Sequence, residues 1–173
     1  MELVKCKQEY LERVYSFYER VVNYLLENIN YPMWSKEYPC KGSVNASILK
    51  GEQYIFLEEG NIIGAAVLNT DPGGNYAAGE WTKELEDGEY MVIHTFAVEP
   101  SVQHRGIGSD MLDICIAFAR QEGYKAIRLD AVPGNTPAIN LYKKKNFTYA
   151  GTKDLERGFD HIPLFDLFEL NFE

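Results

Sequence analysis

Apolar residues recur along this chain with two different periods, and the changes of period mark alternating helices and strands. Steps of three and four residues over 8–28 predict a long helix, and the same spacing predicts another over 111–119. A short helix is expected at 44–50. Apolar runs and alternation predict strands at Leu3–Cys6, Tyr54–Glu58, Ile62–Leu68, Tyr90–Val98 and Ala126–Ala131.

Two segments depart from this pattern. The stretch 69–89 is rich in glycine, proline and acids, and connections of this length are usually functional or mobile. Near the other end, residues 164–172 alternate imperfectly. This segment is either a last strand or an element exchanged at a dimer interface, so both a monomer and a homodimer stay open.

Length and composition predict one domain over residues 1–173, because 46% hydrophobic content suffices for a core. The sequence has no apolar run near 18 residues and no basic leader before an apolar segment. We therefore expect a cytoplasmic protein that does not associate with membranes. Cys6, Cys40 and Cys115 lack metal-like spacing, so no metal is expected, and their odd number argues against a disulfide framework.

The formal net charge of -9 disfavours nucleic acid as a partner, since phosphate contacts need a basic face. A cationic substrate is the natural complement. Five acids lie within 80–89 against one lysine. They either gather amines by long-range attraction or keep a solvated loop soluble.

The six residues Gln103–Gly108 form a basic, glycine-rich turn directly before a helix. A helix start offers unpaired N–H groups and partial positive charge, and glycine lets an anion approach the main chain. Two better-known phosphate loops are excluded. No Gly-Lys-Ser/Thr ending occurs, and Met111 stands where a dinucleotide fingerprint needs its third glycine.

The loop has informative neighbours: strand 90–98 before it, and after it Asn135, Ala138, Leu141, Tyr142 and Phe147. This order resembles the GNAT superfamily of acyl-coenzyme A dependent N-acetyltransferases over roughly residues 90–150. The family loop, Gln/Arg-x-x-Gly-x-Gly/Ala, is matched fully. One departure is Asn146 in place of the usual glycine. Asparagine tolerates a left-handed conformation, so we expect the turn to be kept.

The resemblance implies an α/β fold of α+β type, a single GNAT-like domain. Its mixed, bent central sheet of about six or seven strands would be flanked by helices, with splayed parallel strands holding coenzyme A. It also implies direct transfer of an acetyl group from acetyl-CoA to a primary amine of a small molecule or peptide. The alternative is a non-catalytic module that binds or senses acyl-CoA.

The resemblance further implies which residues contact the coenzyme. Backbone groups of Phe96, Ala97 and Val98 would hold the pantetheine arm and the thioester carbonyl. Asn135, Ala138 and Tyr142 would line the same arm, and Lys145 would meet the 3′-phosphate, although a solvated lysine is an equal alternative. The pyrophosphate would lie on Gln103, His104, Arg105, Gly106, Ile107, Gly108 and Ser109.

Two side chains are candidate catalysts. His94 has a reference pKa that suits deprotonation of an amine, and a histidine stands at this position in the resembling serotonin N-acetyltransferases. The alternative is a histidine that only satisfies a structural hydrogen bond, with Glu80 or a water chain as the base. Tyr142 is the family's candidate acid toward the departing thiolate, or else a core aromatic.

The acceptor pocket is expected in the variable segments. Trp34 and Trp81 lie outside the periodic stretches, which suits aromatic walls around an amine, and Glu80 is a second-choice amine anchor. The alternative is that both tryptophans fold back on the core. Thr136-Pro137 is expected to begin the last helix as N-cap and first-turn proline.

Overall fold

The computed structural model describes all 173 residues. The strands are β1 Glu2–Lys5, β2 Gln53–Glu58, β3 Asn61–Asn69, β4 Tyr90–Val98, β5 Ala126–Ala131, β6 Thr148–Lys153 and β7 Phe165–Asn171. The helices are α1 Leu11–Glu27, α2 Lys41–Leu49, α3 Ile107–Gln121 and α4 Thr136–Lys144. Single 3-10 turns lie at Gln8–Tyr10, Tyr76–Ala78 and Pro100–Val102. No helix is long and apolar enough to cross a membrane.

The strands form one mixed seven-stranded sheet in the order β1-β2-β3-β4-β5-β7-β6. The β4–β5 pair is parallel, whereas β1–β2, β2–β3, β5–β7 and β6–β7 are antiparallel. The parallel ladder is short, with three residue pairs from Tyr90↔Ala126 to Val92↔Arg128. The predicted mixed sheet with a parallel central pair is confirmed.

By contacts the chain forms two compact units. The first comprises residues 1–68 and 93–115, and the second comprises 69–92 and 116–173. In the first unit, one face of α1 is buried through Val14, Phe17, Tyr18 and Val21, which recur at three- and four-residue steps. They join Val44 and Ile48 of α2 and Ile55, Ile62 and Ala65 of the strands in one apolar core.

In the second unit β7 lies between β5 and β6, and it pairs with β5 along the whole of that strand. The C-terminal segment is therefore a last strand of its own chain's sheet. Strand β6 has no counterpart among the predicted elements. Its sequence is polar, Gly151 has a φ of 98°, and the register shifts between Tyr149 and Thr152, so its alternation is broken.

Two networks of buried side chains connect the segment 70–89 to the rest of the second unit. In one, the Tyr76 hydroxyl donates to Asp130 Oδ2 at 2.6 Å, and Arg157 binds both oxygens of that carboxylate at 2.8 Å. Burial, and then the Asp130 charge, raise the pKa of Tyr76 well above its usual value, so its hydroxyl stays protonated.

The second network is centred on Arg128. Its guanidinium lies between the rings of Trp81 and Tyr90, with 4.3 and 4.4 Å from Cζ to the ring centroids. Arg128 Nη2 donates to the Lys83 carbonyl at 2.7 Å. Glu169 faces it from β7 and accepts hydrogen bonds from the amide and the hydroxyl of Thr82. These contacts hold the long segment against the sheet.

Candidate functional site

The glycine-rich turn lies in the first unit and leads into α3, as its sequence predicts. The helix begins at Ile107, four residues before the predicted start at Met111. The amides of Ser109 and Asp110 donate to the Gly106 carbonyl at 2.9 and 3.1 Å. Ile107 and Gly108 come before Ser109 in the chain and lie in the first turn of the helix. The N–H groups of a first turn have no acceptor within the helix.

Two residues of this turn have left-handed backbone conformations, His104 with φ 64° and Gly106 with φ 80°. A Cβ atom at Gly106 would meet no heavy atom within 4 Å. Glycine is therefore needed there for its dihedral angle, and the space beside it is open. Gly108 lies in the helix without a positive φ, and Arg105 is exposed.

Strand β4 contains a backbone irregularity that its sequence does not predict. Thr95 has a φ of 45°, a left-handed conformation that β-branched residues rarely adopt. The strand alternation predicted through 90–98 is therefore interrupted at Thr95, directly after the half-buried His94. A left-handed residue within a strand redirects the peptide groups around it.

Beyond this irregularity the amides of β4 alternate in direction. The Glu99 amide donates to Ile63 O on β3 at 2.9 Å, and successive N–H groups of a strand point to opposite edges. The Val98 amide therefore faces away from β3, and by the same alternation so does that of Phe96. The Ala97 carbonyl lies 3.0 Å from the place where Gly64 would carry a Cβ, so it faces β3. Of the three predicted backbone ligands, Phe96 and Val98 have amides that face away from β3, and their contact with a coenzyme stays a prediction.

The carbonyl of Thr95 is held by an aromatic side chain of α1. The Tyr18 hydroxyl donates to Thr95 O at 2.9 Å, and Gln53 Nε2 lies 3.4 Å from the Tyr18 oxygen. Burial raises the pKa of Tyr18, although both hydrogen bonds act in the opposite direction, so the hydroxyl is a donor at neutral pH. Tyr18, Gln53 and Thr95 line a cavity of about 40 Å³ that Tyr38 and Val67 also border.

Trp34 packs beside this group. Its ring meets that of Tyr18 edge-on, with 6.2 Å between the centroids. Both hydrogen-bonding groups of the Asn30 side chain bind the Trp34 backbone, at 2.7 and 3.0 Å. The tryptophan predicted for the acceptor pocket thus packs on Tyr18 and against the apolar core of the first unit, which is the alternative that the sequence left open. Its contact with an acceptor stays a prediction.

Helix α4 of the second unit begins differently from the sequence expectation. Asn135, and not Thr136, is the N-cap, because its Oδ1 accepts from the Ala138 amide at 3.4 Å. Pro137 lies in the first turn as predicted. Capping by Oδ1 orients the Asn135 side chain, and its contact with pantetheine stays a prediction.

Tyr142 is fixed by the way α4 ends. Asn146 has a φ of 64°, which confirms the expected left-handed turn at this departure from the family pattern. The amide of Phe147 donates to Tyr142 O and that of Asn146 to Lys143 O, which is the Schellman arrangement. The Tyr142 ring packs 5.8 Å from that of Phe147 and 5.6 Å from that of Phe168. The ring of Tyr142 is buried. The role of its hydroxyl stays a prediction. Lys145, the C-cap, is half-buried.

The remaining predicted acceptor residues have structural partners within the second unit. Trp81 donates its indole N–H to Tyr76 O at 2.6 Å and stacks on Arg128. Glu80 is exposed, and its carboxylate lies 2.6 Å from Lys153 Nζ. These are the contacts of a loop anchored on the core, the alternative that the sequence left open. A larger cavity of about 530 Å³ lies along 70–90 and contains none of the predicted site residues.

Sequence reasoning missed Tyr18, Gln53 and Thr95. Tyr18 and Gln53 lie in regular elements as ordinary periodic residues, so no local signal distinguishes them. No group of three or more His, Cys, Asp or Glu side chains could hold a metal ion.

Comparisons with known proteins agree on one family. The model of the acetyltransferase (GNAT) family matches residues 13–147. An uncharacterized N-acetyltransferase of Methanocaldococcus jannaschii is 31% identical over 81 residues, which cover 46% of this chain and 36% of that protein. A mycothiol acetyltransferase of Clavibacter sepedonicus is 30% identical over 81 residues, 47% of this chain and 26% of that protein. The match thus spans about a third or less of these curated relatives.

Solved structures extend the likeness to the whole chain. A GNAT-family acetyltransferase of Streptococcus agalactiae has a TM-score of 0.80 at 15% identity, with 99% of this chain and 95% of that chain covered. A ribosomal-protein-alanine N-acetyltransferase of Brucella melitensis has a TM-score of 0.70 at 14% identity, with 99% and 100% covered. At these identities the similarity concerns the fold.

Proposed function

Because this chain belongs to the acetyltransferase (GNAT) family, we propose that it transfers an acetyl group from acetyl-CoA to a primary amine of a small molecule or peptide. The observation that carries the proposal is the start of α3, where an exposed left-handed Gly106 opens the first-turn amides to solvent. Unpaired amides at a helix start suit the pyrophosphate of a coenzyme. The full set of proposed ligands there is Gln103, His104, Arg105, Gly106, Ile107, Gly108 and Ser109.

The acyl end of the donor is assigned to β4. The amides of Phe96 and Val98 face away from β3 and so are free of that ladder. An N–H directed at the thioester oxygen stabilises the negative charge that develops there during attack, and such donors are worth about 10²- to 10³-fold in rate. Asn135, Ala138 and Lys145 complete the proposed coenzyme contacts in the second unit.

The amine must lose a proton before it attacks the thioester. His94 is the proposed base or proton relay, because an imidazole titrates near neutral pH and His94 adjoins the irregularity of β4. Glu80 is the weaker candidate, since its carboxylate already pairs with Lys153. Tyr142 is the proposed donor of a proton or hydrogen bond to the departing thiolate, and its packing between two rings supports a fixed orientation.

The acceptor is proposed to be cationic. The formal charge of -9 favours the approach of amines, and the half-buried Trp34 ring supplies aromatic surface. The names of two similar proteins, a mycothiol acetyltransferase and a ribosomal-protein-alanine N-acetyltransferase, suggest small amines and alanine peptides as starting points. A cytoplasmic location stays a prediction.

A thiol-release assay tests the proposal with purified protein, acetyl-CoA and a panel of small amines and alanine-starting peptides. We expect turnover of at least one acceptor. Tyr142→Phe should lower kcat by about 10²-fold with coenzyme affinity retained, because general acids contribute about 10²- to 10⁴-fold. His94→Gln should lower kcat with coenzyme affinity retained, because a glutamine side chain cannot take the proton of the amine. Coenzyme binding without turnover of any amine would instead indicate a binding or sensing module.

A further inference from the structure

Thr95 has an unfavourable backbone conformation, and one buried hydroxyl group binds its carbonyl. A threonine at φ 45° is strained, and such conformations persist only where surrounding contacts impose them. The Thr95 side chain does not supply that contact, because its buried Oγ1 has no hydrogen-bond partner. The Thr95 carbonyl does, since it accepts the hydrogen bond from Tyr18 at 2.9 Å.

The direction of this bond determines the direction of the neighbouring amide. The C=O and N–H of a trans peptide point opposite ways in one plane, and the Thr95–Phe96 bond is not among the cis peptides of the chain. Fixing Thr95 O toward α1 therefore fixes Phe96 N–H away from α1. The side chain of Gln53 contacts the Tyr18 oxygen, so the Tyr18 hydroxyl also has a buried polar partner on β2.

We propose that Tyr18 is a positioning residue for acyl transfer, which holds the Thr95–Phe96 peptide so that the Phe96 amide is directed at the thioester oxygen. The inference rests on the proposed function, because it assigns Phe96 N–H to the acyl carbonyl. Tyr18 itself touches neither the acyl group nor the amine in this mechanism. Without its hydroxyl, the strained peptide relaxes and the amide turns away from the oxygen.

The test compares two tyrosines of the same helix. Tyr18→Phe removes the hydroxyl that holds Thr95, whereas Tyr15→Phe removes a hydroxyl that binds only the exposed Glu19 side chain. We expect Tyr18→Phe to lower kcat about 10- to 100-fold, as a misplaced oxyanion donor would, while the Kd for acetyl-CoA changes less than about twofold. Tyr15→Phe should match the wild type in both quantities, and thermal unfolding should show that all variants are folded.

A spectroscopic readout separates positioning from general packing. The infrared band of a ¹³C-labelled thioester carbonyl should shift to lower frequency when acetyl-CoA binds to the wild type, and the shift should shrink in Tyr18→Phe. Glycine accepts a φ of 45° without strain, so Tyr18→Phe should be less harmful in a Thr95→Gly background.

The possible outcomes distinguish the two proposals. If the wild type turns over an amine and Tyr18→Phe keeps its kcat and its carbonyl band, the positioning role is wrong and the proposed function stands. If no amine is acetylated, the carbonyl band of the bound donor still decides the role of Tyr18. If acetyl-CoA does not bind to the wild type, both proposals are wrong.

Discussion

Replacing Glu169 by glutamine is expected to destabilise the second unit by about 3–5 kcal/mol, because the buried Arg128 guanidinium would lose its counter-charge. The side chains of Arg128 and Glu169 are 4% and 0% exposed. Arg128 Nε lies 3.8 Å from Glu169 Oε2, and neither atom has a hydrogen-bond partner. The pair is thus joined by charge attraction across a gap and not by a hydrogen bond.

The magnitude follows from this distance. Two unit charges 3.8 Å apart attract by about 4 kcal/mol at an effective dielectric constant of about 20. Burial of both ions offsets much of that gain, so the pair contributes little in total, yet the loss of one partner leaves an uncompensated charge. Glutamine keeps the Oε1 acceptor for the Thr82 amide, 2.6 Å away, while it removes the charge and replaces the Oε2 acceptor by an amide donor.

Urea unfolding provides the assay. The chain has two tryptophans, so a Trp34→Phe background leaves Trp81, which stacks on Arg128, as the fluorescent reporter of the second unit. Glu169→Gln, Arg128→Met and the double variant are compared by linear extrapolation. The double variant should be less destabilised than the sum of the single ones by at least about 2 kcal/mol, because it contains no lone buried charge.

A surface ion pair supplies the matched control. Glu80 and Lys153 are 69% and 30% exposed, so Glu80→Gln should change the free energy of unfolding by at most about 1 kcal/mol. If Glu169→Gln is as mild as this control, the pair does not act as a buried charge pair. Additivity of the two single changes to within about 0.5 kcal/mol would refute the coupling between Arg128 and Glu169.

Three further predictions concern the loop and the thiols. In a coenzyme titration, Gly106→Val should weaken binding about tenfold or more, because a β-branched residue is strained at φ 80°, and Arg105→Ala should weaken it less. The reverse order would contradict binding by main-chain amides. Timed alkylation at pH 8, followed by mass spectrometry, should label Cys40 first. Hydrogen bonds from the Ser43 and Gly42 backbone lower the pKa of the Cys40 thiol. Burial instead raises the pKa of the Cys6 and Cys115 thiols to about 12. The free energy of unfolding should also fall as the pH rises from 9 toward 12, because these two thiols then ionise only in the unfolded chain.

The elements that sequence predicts well are those whose own residues determine them. Strands β4 and β5 have the predicted bounds, because their apolar runs end at a turn or a change of polarity on both sides. The first turn of α3 was missed for a physical reason. Residues 107–110 precede the apolar periodicity, and none of them is buried in the core.

Pairs that depend on strand register could not be predicted in the same way. Arg128 meets Glu169 only because β7 lies beside β5 in the register that places these two residues opposite each other. Neither segment specifies by its own sequence that Arg128 and Glu169 are partners. An arginine in an apolar strand can have a structural or a functional role, and the sequence does not distinguish them. The role of Trp81 depends on the same register, because its ring covers the guanidinium that Glu169 faces.

Thr95 is the position where local sequence and structure disagree most, and the disagreement is informative. Threonine favours extended backbone, so residues 90–98 predict an uninterrupted strand. The left-handed conformation therefore has to be imposed from outside the strand, and the Tyr18 hydroxyl on Thr95 O is the contact that can impose it. Departures of this kind concentrate at functional sites, where a strained peptide presents an amide that a regular strand would not.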